Sequence, residues 1–167
     1  MALFKNEAFT PDPWRSLDDS EDIPQDGQVI LTFERWRELR ASQQTTNIPL
    51  GLRIEAGTAV EEILPDLPRL ALVALVFPKY TDGRSFSAAR KLRSYYGYSG
   101  ELRAVGDVLF DQLQFMARCG FDSFEINDPV TISLLASGRR PGVQSFYQPG
   151  FGAEIPAGTR PWARRPA

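Results

Sequence analysis

The chain has 167 residues, 43% of them hydrophobic and 24% charged, with a formal net charge of −2. That is the composition of a soluble globular domain, not of a disordered or membrane-embedded chain. There is no histidine and a single cysteine, Cys119, which excludes Ser-His-Asp and Cys-His chemistry, zinc sites needing His or several Cys, four-cysteine iron–sulfur clusters and any intrachain disulfide.

Residues 1–27 form an acidic, proline-containing segment with seven acids against Lys5 and Arg15. Its aromatic anchors, Phe4, Phe9 and Trp14, leave two readings open: a solvated tail, or a segment that wraps the domain or a second subunit. An α/β domain is expected over 28–138. Val29–Phe33 reads as a short strand, and Arg35–Ala41 follows as a helix with Trp36, Leu39 and Arg40 at helical spacing. A polar loop runs from Ser42 to Pro49. The next strand, residues 51–56, alternates, with Leu52 and Ile54 on one side and Arg53 and Glu55 on the other. Thr58-Ala-Val-Glu61 is a capping-box pattern with Thr58 as N-cap, and Pro65 and Pro68 keep the helix short.

The run 71–77 is apolar at every position, as expected for a strand buried on both faces. Ser85 or Ser87 is placed to cap a helix that runs to Tyr96 and stops at Gly97. A strand over 101–105 precedes a helix with Asp107 as N-cap and Gly120 as the left-handed stop. The last unit is a strand over 123–126, then Asp128-Pro129 as N-cap and first helical residue. Residues 139–167 form a tail rich in Arg, Pro and Gly, with Phe146, Tyr147, Phe151 and Trp162. The fold class expected is α/β: a predominantly parallel sheet of about five strands alternating with helices, either an open sheet or a partial barrel.

Three of the strands carry charges at alternate positions: Arg53 and Glu55, Glu101 and Arg103, and Glu125. The shared phase predicts one charged face beside the apolar strand 71–77. Burying such charges requires pairing, so the face reads either as an anion site or as a structural ion-pair network. In the first reading Arg53, Lys79, Arg84, Arg103 and Asp107 bind a small oxyanion at the carboxyl ends of the strands, with Glu55 and Glu125 orienting it. In the second, Asp107 and Asp128 are simply helix caps. No Rossmann, Walker A or nucleophile-elbow motif is present, and neither a cofactor nor a metal is expected. Cys119 lies at a helix carboxyl end, which raises a thiol pKa, and is assigned to the core.

Three blocks carry a resemblance: Phe77-Pro-Lys-Tyr-Thr-Asp-Gly-Arg-Ser-Phe-Ser-Ala-Ala-Arg-Lys-Leu-Arg93, Gly97-Tyr-Ser-Gly-Glu-Leu-Arg-Ala-Val-Gly-Asp-Val-Leu-Phe-Asp-Gln-Leu113, and Met116-Ala-Arg-Cys-Gly-Phe-Asp-Ser-Phe-Glu125. Over about Val29 to Asn127 the chain resembles the bacterial domain-of-unknown-function family 934. The resemblance implies a part in sulfite reduction, as an oxidoreductase component or as an accessory acting with sulfite reductase. One cysteine and no histidine cannot ligate the haem and iron–sulfur centres of such a reductase in the usual way, which favours the accessory role. The alternatives are a small partial-barrel enzyme that uses carboxylates and arginines on an anionic substrate, and a structural interaction partner.

The net charge of −2 does not suggest a nucleic-acid partner. The longest apolar run, Leu70–Pro78, is too short to span a bilayer, and no signal-peptide core follows Met1. A cytoplasmic protein without a membrane partner is therefore expected. The open edges of a five-stranded barrel are compatible with a homodimer.

Overall fold

The computed structural model describes residues 1–42 and 47–142. Eight strands form one sheet: β1 (Ala2–Lys5), β2 (Ala8–Thr10), β3 (Trp14–Ser16), β4 (Gln28–Leu31), β5 (Leu50–Ile54), β6 (Leu70–Phe77), β7 (Glu101–Gly106) and β8 (Ser123–Ile126). Their order is β2-β1-β8-β7-β6-β5-β4-β3. Neighbours from β3 to β8 are parallel, whereas β1 is antiparallel to both β8 and β2. The sheet is thus mixed and eight-stranded, which corrects the expectation of about five mostly parallel strands. The three additional strands all come from residues 1–16. Asn6 and Glu7, both at positive φ, form the two-residue turn of the β1–β2 hairpin.

The helices are α1 (Phe33–Ala41), α2 (Arg84–Ser94), α3 (Leu113–Cys119) and α4 (Pro129–Ala136). They pack with one face of the sheet. Leu52, Ile54, Val73, Leu75, Phe77, Leu102, Ala104 and Ile126 meet Trp36, Ala89, Leu92, Met116 and Leu135 in the main core. The opposite face has a smaller core of Ile30, Leu72, Ala74, Val76 and Val105, against which Trp14 packs. No helix among the described residues is long and apolar enough to cross a membrane.

The topology forces this second face to curl inward. β2 and β3 lie at opposite edges, seven strand spacings or about 34 Å apart in a flat sheet. Only Pro11, Asp12 and Pro13 join them, and the step from Thr10 to Trp14 reaches at most about 14 Å. The sheet is therefore an open barrel whose seam is crossed by residues 11–13, with the helices outside.

Local chemistry corrects three of the caps. Val60–Arg69 is a 3-10 helix preceded by Ala59 without a side-chain cap. Pro65 and Pro68 lack the N–H groups an α-helix needs, and the Glu61 carboxylate accepts from Lys91 and Tyr96 instead of closing a box with Thr58. α2 is preceded by Gly83, while the Ser85 hydroxyl is buried and donates to the Val76 carbonyl at 2.6 Å. Asp107 caps no helix, since a short 3-10 turn at Phe110–Gln112 with Leu109 before it starts the next unit. By contrast, Thr32 caps α1, Gly120 ends α3 at positive φ, and Asp128 accepts from the Thr131 amide ahead of Pro129. Residues 143–167, including the tail aromatics, lie outside the described residues.

Candidate functional site

In-register residues of adjacent strands share a face, and alternate residues return to it. Arg53 pairs with Ala74, Ala74 with Arg103, Arg103 with Ser123, and Ser123 with Lys5. These residues form one row on the inner face. Glu101 lies two residues below Arg103 on β7, and Glu125 two above Ser123 on β8, so both share that face.

At the centre the Arg103 side chain is 1% exposed. Its Nε and Nη2 donate to Glu101 Oε1 at 3.1 and 2.9 Å, and its Nη1 and Nη2 donate to the two Asp12 oxygens at 2.7 and 3.1 Å. Glu101 also accepts from Lys5 at 2.6 Å and from the Ser123 hydroxyl at 2.7 Å. Burial pushes the Glu101 pKa up, but these donors outweigh burial and the net direction is downward. Two cations and two anions leave this cluster electrically balanced, as a buried ionic group requires. The Asp12 bond draws the 11–13 segment against the inner face.

Glu125 stands outside that balance. It is half-buried, and its carboxylate has no hydrogen bond or ion pair among the described residues. Burial pushes its pKa up, and the nearby Asp12 charge adds to this, while the charges of Arg103 and Arg53 oppose it. Arg53 is about half exposed and, among the described residues, pairs with the exposed Glu55 at 3.2 Å. An exposed pair of this kind is worth at most about 1 kcal/mol.

The other sequence-derived candidates lie apart from this row. Asp107 bridges two loops: its carboxylate accepts from the Tyr80 amide and its own amide donates to the Phe77 carbonyl, both at 2.8 Å. Lys79 is exposed, with its carbonyl accepting from the Asp82 amide. Arg84 is engaged by Asp82, with Nη2 to Oδ2 at 2.5 Å, and holds that carboxyl down at about 2. Arg84 and Glu55 line a cavity of about 240 Å³ together with Glu61, Ser87 and Lys91. A larger cavity, about 740 Å³, lies at the amino ends of β6 and β7 and is lined by Leu64, Leu67, Tyr95, Tyr96 and Tyr98. Cys119 is half-buried, and burial pushes its thiol pKa up, so it is not an activated nucleophile.

The structure thus brings Arg53, Arg103 and Glu125 to one inner face, with Glu55 just past the end of β5 and bonded to Arg53, and leaves Lys79 and Asp107 in loops and Arg84 at the start of α2. Sequence reading missed Asp12 and Lys5 as members of the cluster. Their signal was weak: Asp12 sits between two prolines in an acidic stretch, and Lys5 ends a four-residue strand.

These features define a class: an α/β open barrel with its helices outside and a charged inner face that runs from Glu101 and Ser123, which begin β7 and β8, to Arg53 and Glu125 nearer the carboxyl ends of β5 and β8. The family profile of a bacterial protein of unknown function, DUF934, matches residues 51–157. The chain belongs to that family. None of the curated proteins compared with it matches.

Proposed function

We propose that the protein binds a small oxyanion at the carboxyl mouth of its barrel and serves bacterial sulfur assimilation as an accessory to sulfite reductase. The observation that carries the binding half is that a solvent-reachable Arg53 shares the inner face with Glu125, whose carboxylate has no partner among the described residues. Guanidinium suits sulfite, sulfate or a sulfated nucleotide because its planar donors match two oxygens at once. Arg103 offers no free edge, since carboxylates occupy its donors and balance its charge. The assignment to sulfite reduction rests on the family resemblance of the three sequence blocks. A second reading, a small acid–base enzyme acting on an anionic substrate, is favoured by Glu125, a carboxyl held toward its neutral form beside a cation.

The test is deletion in the native host followed by growth on sulfate, sulfite or sulfide. Rescue by sulfide alone places the block at sulfite reduction, and growth on sulfite removes the pathway half of the proposal. Complementation with Arg53→Ala then tests the site: full rescue by this variant rules out the mouth as the functional surface. Co-purification of sulfite reductase with the tagged chain separates the accessory role from a free-standing enzyme.

A further inference from the structure

The two carboxylates that hold Arg103 are anchored very differently. Glu101 accepts from Lys5, Ser123 and Arg103, and its side chain is 14% exposed. Asp12 has one side-chain partner among the described residues, Arg103, and is 26% exposed. Its remaining bond is local: Oδ1 accepts from the Trp14 amide at 3.1 Å. The stretch that carries it is held by little else. Pro11 and Pro13 are exposed, and the backbone of residues 11–13 makes no hydrogen bond among the described residues. Arg103, by contrast, is fixed on a central strand between Ala74 and Ser123, with its side chain 1% exposed. Its Nη1 and Nη2 meet the two oxygens of one carboxylate at 2.7 and 3.1 Å, an arrangement that suits a carboxylate from any source. A buried, ready-made carboxylate seat is thus filled by a residue from a weakly held strap.

We propose that this seat is a binding site for a small monocarboxylate, and that Asp12 is an internal ligand which the incoming carboxylate displaces. One monoanion replaces another, so Lys5, Arg103, Glu101 and the ligand still sum to zero. The released Asp12 passes into water, where a carboxylate needs no partner, and no covalent bond or proton changes place. A dianion in the same seat would bury one uncompensated negative charge, which sets the ligand class. The wall beside the seat is apolar: Trp14 packs with Ile30, Leu72, Ala74 and Val76, and its ring lies so close over Gly51 that a Cβ there would stand 3.2 Å from Cζ3. Trp14 follows Asp12 by two residues and is bonded to it, so the indole reports on the strap. The seat makes no use of Arg53 and stands or falls independently of the oxyanion reading at the mouth.

The experiment is an acetate titration of the full chain at pH 7, with acetate replacing chloride at constant ionic strength. It is followed by fluorine NMR on protein labelled with 5-fluorotryptophan. The Trp14 signal is assigned by its loss in Trp14→Phe, and Trp36, in the core on the other face, is the internal reference. The expected result is a saturable shift of the Trp14 signal while Trp36 stays in place. Asp12→Ala, which empties the seat, is expected to bind acetate about tenfold or more tightly than wild type, because no tethered carboxylate competes. Its lowered thermal midpoint is expected to recover in acetate and not in chloride. A wild-type Trp14 signal that acetate leaves in place, or a shift that survives Arg103→Met, overturns the displacement and reduces Asp12 to a structural partner. A folded Asp12→Ala chain that binds acetate no more tightly than wild type overturns the seat itself. If Asp12→Ala does not fold, the wild-type and Arg103→Met titrations decide alone.

Discussion

Replacing Arg103 by Met keeps an unbranched apolar stem and removes the charge and all the donors. Four hydrogen bonds are lost, two to Glu101 and two to Asp12. Removing one member of a buried pair costs about 3–5 kcal/mol because its partner is left desolvated and uncompensated. Two facts favour the low end here: Glu101 keeps Lys5 and Ser123, and Asp12 is 26% exposed, so water takes up part of the load. A loss of about 3 kcal/mol corresponds to a fall of about 6–12 °C in thermal midpoint for a chain of this size. The assay is thermal unfolding by circular dichroism, with urea titration as a second measure and Arg53→Ala as the control. The control should lose at most about 1 kcal/mol, because Glu55, its partner among the described residues, is exposed. Asp12→Asn combined with Arg103→Met should cost less than the sum of the two single changes, because both remove the same contact. An Arg103→Met midpoint within about 2 °C of wild type, or strict additivity of the pair, refutes the view that this ion cluster ties the seam to the sheet.

Gly106 ends β7 at φ +96°, and a Cβ there would collide with the Phe77 carbonyl oxygen, so Gly106→Ala should lower the urea midpoint by the equivalent of about 1–3 kcal/mol. Tyr98→Phe removes a buried hydroxyl that donates to the Leu70 carbonyl at 3.1 Å and should cost about 1 kcal/mol in the same assay. Glu125 has a raised folded pKa, so its protonated form favours the fold: that stability is present below the usual glutamate pKa of about 4.3 and is lost as pH rises through the folded value. Glu125→Gln should therefore melt higher than wild type at pH 7, with the gap closing toward pH 4, as measured by melting curves across that range. A constant gap contradicts the assignment.

The five parallel strands from β4 to β8 were legible because each is an apolar or alternating run of four or more residues closed by a turn signal. β6 was plainest: apart from Ala71, which sits exposed at the irregularity in its pairing with β5, every residue is buried. The strands β1 to β3 were not legible. They are three or four residues long, and their hairpin turns on Asn6-Glu7 without the glycine that normally marks such a turn. Their pairing is decided by β8 and β4, far away in sequence. The shared face of Arg53, Arg103 and Glu125 followed from the alternation within each strand, because their apolar neighbours Leu52 and Ile54, Leu102 and Ala104, Phe124 and Ile126 all turn to the helix-covered core. Which carboxylate would occupy Arg103 depended on the curl of the sheet, and curl is a property of topology that no local pattern encodes. Asp107 misled for a related reason: an acid just after a strand looks like a cap, and here it serves a neighbouring loop.

The pairing of Ala2–Lys5 with Ser123–Ile126 sets the order of events when the chain is made. Among the described strands, the first in chain order hydrogen-bonds to the last, so it must wait until residues 123–126 have been synthesised. Until then the hairpin of β1 and β2 has no partner along its inner edge, and Arg103 has only half of its acceptors. Contacts of such sequence separation form late and slow the final step of folding. The two prolines at the seam supply no amide hydrogens, so this stretch of the waiting segment offers little for a foreign strand to grip. Closure of the barrel and completion of the Arg103 cluster are the same late event, which makes the charged inner face a feature of the finished molecule alone.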